Sequence, residues 1–210
     1  MNSKALACCS SCGKQYEVET LPAVNTARNP ELKASVKDGS LFVKQCPHCG
    51  ESNLVLYPFL YHDPDARLIV WLLPEGGAGY DEAAVEQMSA QVEALEDYTV
   101  RRVATPGELI EKIGITDAGL DDRAVELCKF VTEQEMEERI HPDGPLRFYR
   151  LDGADNEITF TFPSGSQMMS LNIGFNVYED CLGILRRNSA ILSTKGFARI
   201  DGAWVNRFMR

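Results

Sequence analysis

No stretch of the 210-residue chain approaches the roughly 20 consecutive apolar residues that a membrane-spanning helix requires. The opening segment, Met1 to Ala7, holds one lysine and no apolar region of useful length, so no signal peptide is expected. Ala5-Leu6-Ala7-Cys8 has the outline of a lipidation site without the apolar region that should precede it. Internal repeats and low-complexity tracts are lacking, which excludes solenoids and compositional linkers. No Gly-x-Ser-x-Gly elbow and no His-Glu-x-x-His helix is present, so the commonest hydrolase and metalloprotease signatures are missing. These absences predict a cytoplasmic protein with no membrane partner, in a compartment where thiols stay reduced and bind metal rather than pair.

Clustered positive charge is also scarce. Residues 1–50 hold 6 Lys and Arg against 4 Asp and Glu, residues 51–145 hold 7 against 21, and residues 146–210 hold 8 against 6. A centre carrying −14 between ends of +2 disfavours phosphate-backbone binding, which relies on grouped cations. Solvated helix faces account for the acidic centre, which could also steer a basic partner. With 44% hydrophobic residues the chain can still bury a core of ordinary size.

What is present in force is cysteine at a particular spacing. Cys9-Ser10-Ser11-Cys12-Gly13 and Cys46-Pro47-His48-Cys49-Gly50 read as two knuckles of a four-cysteine zinc site. Each CxxC turn directs two sulfurs at one point and aims backbone N–H groups at the first sulfur, and the glycine after each pair suits a positive φ. Four protein ligands leave no open position, so the expected Zn2+ is structural rather than catalytic. The 33 residues between the pairs exceed the spacing of small ribbons. Disulfides and redox-active thiols are the rival readings, and the second lacks the βαβ context that would place CxxC at a helix N-terminus. Cys8 could substitute for Cys9; Cys9 is preferred because it reproduces the spacing of the second pair. His48 would point away from a metal held by Cys46 and Cys49. Cys128 and Cys181 fall on apolar helix faces and read as buried small hydrophobes.

The pattern along the chain predicts an α+β fold. Its three parts are a zinc-ribbon-like β unit over 1–75, an acidic helical part over 76–145 and a C-terminal α+β region over 146–210. In the first part, strands are expected at 15–20, 41–43, 53–61 and 66–73, the last two joined around Asp63-Pro64-Asp65, with a short helix opening at Asn29-Pro30. Gly76, Gly77 and Gly79 mark the boundary. Helices are expected over 81–97, from Thr105-Pro106 through Ile113, and from a cap at Asp121 with Leu120, Ala124, Leu127, Cys128 and Val131 inward. Strands at 99–103, 146–151, 157–162 and 167–173 follow from β-branched and aromatic content, the last three as a meander. Asn176-Val177-Tyr178-Glu179 has capping-box spacing before a helix whose Tyr178, Cys181, Leu182 and Leu185 share a face. Residues 197–200 and 204–208 are expected to close the sheet.

Cys46-Pro47-His48-Cys49-Gly50, with Gly39-Ser40-Leu41-Phe42 before it and Tyr57-Pro58-Phe59-Leu60-Tyr61-His62-Asp63 after it, closely resembles the CpXC-domain proteins of bacteria and archaea. The resemblance continues through Ile69-Val70-Trp71-Leu72-Leu73-Pro74. It is weaker at Glu108 to Ile113 and at Gly119 to Arg123, and so covers about residues 7–140. Ser10 stands where the family's first pair usually carries proline, a change a knuckle tolerates. The family is functionally uncharacterised, so the resemblance implies a fold and no activity.

Three further constellations bear on chemistry. His62 and Asp63 lie side by side at a strand end, where a catalytic site could form, although neighbours in a strand face opposite ways. Glu138-Arg139-Ile140-His141 has the spacing of a di-iron ligand pair, but no second such motif exists and Pro142 ends the helix. The glycine loop at 76–79 follows a strand and precedes a helix, yet acidic neighbours and the absence of a lysine make it a linker. The function best matching these features is a protein–protein interaction or adaptor module on a structural zinc site, with an unknown protein partner; homo-oligomerisation is compatible. The alternatives are an enzyme using His62 and Asp63, and a weak nucleic-acid-binding ribbon using Lys14, Lys33, Lys37 and Lys44.

Overall fold

The computed structural model describes residues 3–75, 82–92, 95, 97–136, 142–188 and 194–208. The protein is mixed α+β and divides into two compact units: Met1–Ile110 with Lys195–Phe197, and Glu111–Thr194 with Ala198–Arg210. Among the described residues no helix is long and apolar enough to cross a membrane.

The first unit opens with β1 (Ser3–Cys8) and β2 (Gln15–Thr20), antiparallel from Ser3↔Thr20 to Cys8↔Gln15. Strand β3 (Ala23–Asn25) and helix α1 (Leu32–Lys37) follow, then a 3-10 turn at Ser40–Phe42. β4 (Val43–Gln45) and β5 (Ser52–Leu54) form a second antiparallel pair. A four-stranded sheet takes the order β3, β6 (Phe59–Asp63), β7 (Leu68–Leu72), β8 (Thr99–Val103), with β6 and β7 as the antiparallel hairpin expected around Asp63-Pro64-Asp65. The single strand expected over 53–61 is two strands in different sheets. Pro58 stands between them, and proline cannot donate to a continuing ladder.

β6 alternates cleanly: Phe59, Tyr61 and Asp63 are buried on one face, while Leu60 and His62 are half-buried on the other. Phe42, Tyr57 and Phe59 pack as a tilted and edge-on aromatic trio with centroids 5.2 to 6.4 Å apart. The opposite side holds Ile69, Leu73, Val85, Val100 and Phe197, with α2 (Glu82–Val92) contributing Val85, Met88 and Val92. Trp71 meets Phe197 edge-on at 5.1 Å. Helix α3 (Pro106–Asp117) starts as its proline predicts and runs four residues beyond the expected end. Its Thr105 hydroxyl accepts from Glu108 N at 3.2 Å; Glu108 reaches back to Ala104 N at 2.8 Å, one residue before the cap.

In the second unit α4 (Asp122–Met136) and α5 (Phe175–Arg187) pack with a meander of β9 (Arg147–Asp152), β10 (Glu157–Ser164) and β11 (Gln167–Gly174). Ala124, Leu127, Cys128, Phe148, Ile158, Phe160, Tyr178, Cys181 and Leu185 meet in its core, so the two helix stripes face inward as expected. Two expectations fail. α5 begins at Phe175 on Gly174 with no side-chain cap, leaving Asn176 inside the first turn rather than capping it. Residues 204–208 do not extend the sheet: α6 (Gly202–Asn206) forms instead, because Asp201 caps it by accepting from Trp204 N at 2.9 Å.

A charge network is sealed within this unit. Glu111 accepts from Lys129 Nζ (3.1 Å), Arg147 Nη1 (3.0 Å) and the Phe148 N–H (2.7 Å). Lys129 also meets Glu126 at 2.8 Å, and Lys112 meets Asp122 at 3.0 Å and the Ile200 carbonyl at 3.0 Å. Three carboxylates balance three cations, so the group is neutral as a whole. Burial pushes the Glu111 carboxyl up, but Lys129, Lys112, the Phe148 N–H and Arg147 outweigh it and hold it below the usual range. For Glu126 burial wins over the nearby lysines, and its carboxyl titrates above the usual range.

Candidate metal centre

The two CxxC segments are the tips of the β1–β2 and β4–β5 hairpins, and they close alike. Cys9 N donates to the Lys14 carbonyl at 3.0 Å and Gly13 N to the Cys9 carbonyl at 3.0 Å. In the second tip Cys46 N donates to the Glu51 carbonyl and Gly50 N to the Cys46 carbonyl, both at 2.8 Å. Gly13 and Gly50 take φ of 68° and 77°, the left-handed region where a side chain is strained. The glycine after each pair is thus required by the turn itself.

These tips bring four sulfurs together. Cys9 Sγ lies 3.5 Å from Cys49 Sγ and Cys12 Sγ lies 3.7 Å from Cys46 Sγ, and all four are within 4.8 Å of one another. No pair is bonded, since a disulfide holds its sulfurs about 2.05 Å apart. Cys9 and Cys46 are buried; Cys12 and Cys49 are exposed at the rim. Of the two adjacent cysteines, Cys9 joins the cluster. Cys8 is the last residue of β1, its exposed thiol reaching the Gly13 carbonyl at 3.5 Å. His48 is exposed and stands outside the cluster.

The cluster is electrostatically primed for a cation. The Cys12 N–H, 3.5 Å from Cys9 Sγ, acts most strongly to lower the Cys9 thiol to about 6; burial opposes it, and the Ser11 N–H and the thiols of Cys49 and Cys12 assist. Cys49 goes the other way, to about 12: the Glu51 N–H favours its thiolate, but Cys9, burial, Cys12 and Cys46 prevail. One thiolate forms readily and opposes the next. Ionising all four sulfurs needs a positive ion between them, and a set of four thiols with no other donor suits a thiophilic one.

Sequence reasoning missed the residue that ties the tips together. Asn53, buried in β5, accepts from Ser10 N at 2.8 Å and Ser10 Oγ at 3.0 Å. Its amide nitrogen donates to the Glu51 carbonyl at 2.9 Å and to Cys9 Sγ at 3.6 Å. One side chain therefore grips both hairpins. The available signal was an asparagine inside a strand, where that residue is depleted. Asn53→Leu is expected to weaken ion retention about 10- to 100-fold in chelator competition, the usual range for partners of metal ligands, with far-ultraviolet dichroism little changed.

His62 and Asp63 do not converge. His62 Nδ1 meets Asn25 Nδ2 at 3.1 Å and its ring lies beside Tyr98, whereas Asp63, on the other face, pairs with Lys33 at 2.8 Å and accepts from Tyr61 Oη at 3.1 Å. Burial holds the His62 imidazole below its ordinary value despite the Asp63 charge. Cys128 and Cys181 lie in the core of the second unit. The Glu138–His141 pair and the glycine loop at 76–79 lie outside the described residues.

Fold and site together define an α+β protein with a four-cysteine cluster carried on N-terminal hairpins. A family model described as CpXC protein matches residues 7–129, more than half of the chain. The chain belongs to the CpXC family. No curated protein and no solved structure matches it.

Proposed function

We propose that the four cysteines hold one structural Zn2+ and that the protein acts as a protein–protein interaction or adaptor module in the cytoplasm. The observation carrying the metal reading is the spacing of the sulfurs. Thiolates about 2.3 Å from zinc at tetrahedral corners stand about 3.8 Å apart, and the two close pairs lie at 3.5 and 3.7 Å. Four protein ligands complete the coordination, so the ion fixes the hairpins and leaves no position for substrate. All seven cysteines are free thiols, in keeping with a reducing compartment.

The interaction reading is favoured by apolar surface on the hairpin bearing the second cysteine pair. Val43 and Leu54 are directly opposite on β4 and β5, and both are exposed, as is Leu56. The enzyme alternative loses its motivation because His62 and Asp63 face opposite sides of the sheet. The nucleic-acid alternative loses Lys33 from its basic set, since that ammonium is engaged by buried Asp63. Affinity capture with the zinc-loaded full chain tests the proposal. A partner retained by the wild type and lost by Leu54→Glu, at unchanged zinc content, supports it. Repeated failure to retain any partner, with turnover of a metabolite, overturns it.

A further inference from the structure

Strand β11 is an outer strand of the three-stranded sheet. All eight of its residues pair with β10, and no strand lies on its other side among the described residues. The Phe175 N–H donates to the Asn156 carbonyl at 2.9 Å, which sets the phase of the ladder. Ile173, Leu171, Met169 and Gln167 therefore exchange hydrogen bonds with β10, and Met168, Ser170 and Asn172 turn their N–H and C=O groups outward. No described residue bonds to those outward groups. The other edge of the same sheet is guarded. β9 is interrupted by a register shift, carries Arg147, Arg150 and Asp152, and has its outward Phe148 N–H taken by Glu111. β11 has no bulge, no charge and no proline, and its Met168 and Met169 are 65% and 45% exposed. A long, regular, uncharged edge is a template for another strand.

The pattern on β11 and α5 fits a second copy of the chain. Pairing two β11 edges antiparallel about a two-fold axis through Ser170 sets Met169 against Leu171 and Met168 against Asn172, with no like charges opposed. Met169, Leu171 and Ile173 lie on the core face, opposite Phe162, Phe160 and Ile158, so the join continues the apolar layer from one protomer into its partner. Helix α5 follows β11 directly and packs on the same core, so its two copies run antiparallel on one side of the joined sheet. Exposed Glu179 and Asp180 are followed two turns later by exposed Arg186 and Arg187, and none of the four has an ion-pair partner among the described residues. Antiparallel neighbours bring the acidic half of one helix towards the basic half of the other. An unrelated strand would satisfy the backbone groups but not this order of charge. We propose that β11 is a dimerisation edge, through which two copies of the chain join into one six-stranded antiparallel sheet with Ser170 on the axis.

The test is the mass of the full-length chain in analytical ultracentrifugation from micromolar to sub-millimolar concentration, with amide exchange read at single residues. The wild type is expected to be a dimer at the upper end, with the Met168, Ser170 and Asn172 amides protected there and exchanging freely on dilution. Ser170→Pro removes an N–H that the β10 ladder does not use. Losing two hydrogen bonds at the axis should weaken the dimer about 30-fold. Arg186→Glu with Arg187→Glu should weaken it about 10-fold. Adding Glu179→Arg and Asp180→Arg to that pair should restore it, and this arm decides the matter if Ser170→Pro does not fold. A wild type that stays monomeric overturns the proposal, whether its edge is bare or is taken by an extended peptide of another protein. A dimer that none of the variants weakens, or whose three amides exchange freely at every concentration, overturns it too.

Discussion

Protein purified without added metal is expected to carry one zinc per chain, and Cys46→Ser is expected to lose both the ion and the ordered structure of residues 8–60. Structural zinc contributes on the order of 10–16 kcal/mol in small peptides near neutral pH, as much as the roughly 5–15 kcal/mol net stability of a whole domain. The hairpins that carry the ligands are short: β4 and β5 have three residues each. A two-stranded pair of that size is not stable alone in water. On the proposed zinc reading, the ion acts with Asn53 and the aromatic trio around Phe42 to hold the tips. Cys8→Ser should leave the zinc content unchanged, because that thiol lies outside the sulfur cluster. Elemental analysis of the three proteins, with amide exchange across residues 8–60, checks both halves. Zinc retained in full by Cys46→Ser would refute the assignment.

Glu111→Gln is expected to destabilise the protein by about 3–5 kcal/mol, the cost of leaving buried charges without their partner. Glutamine can still accept from the Phe148 N–H but leaves Lys129 and Arg147 facing a neutral amide. Glu126→Gln should cost much less at neutral pH, because burial already disfavours its charge. The pH dependence separates the two. Glu111 is depressed below the ordinary 4.5, so its stabilisation is complete above that value and is lost as pH falls through the folded value. Glu126 is raised above 4.5, so its stabilisation is present below that value and is lost as pH rises through the folded value. On acidification from neutral pH, Glu111→Gln should therefore lose less stability than the wild type, and Glu126→Gln more. Urea unfolding at several pH values measures this. Equal costs for the two substitutions at neutral pH would show that the network does not carry charge as described.

The hairpin tips were legible because their chemistry is local. A CxxC-Gly turn specifies its own hydrogen bonds and its positive φ, so spacing alone predicts where each pair of sulfurs points. Strand β8 and the C-terminal meander were legible for a related reason: β-branched and aromatic runs bounded by turn residues need no distant partner to be recognised. The misreadings came where two local signals competed. Asn176 offered a capping box, yet the strand before it runs to Gly174 and the helix starts at once. Residues 204–208 carried strand-like side chains, yet Asp201 held a cap over Gly202.

By itself the sequence determined the four sulfurs, the α+β class and the inward faces of α4 and α5, because spacing and periodicity act within a few residues. Only the tertiary structure decided that Asn53 bridges the two tips and that Glu111 is neutralised by Lys129 and Arg147. Each of these joins residues far apart in the chain or on different strands. Their meeting depends on strand register and burial, which no local pattern encodes.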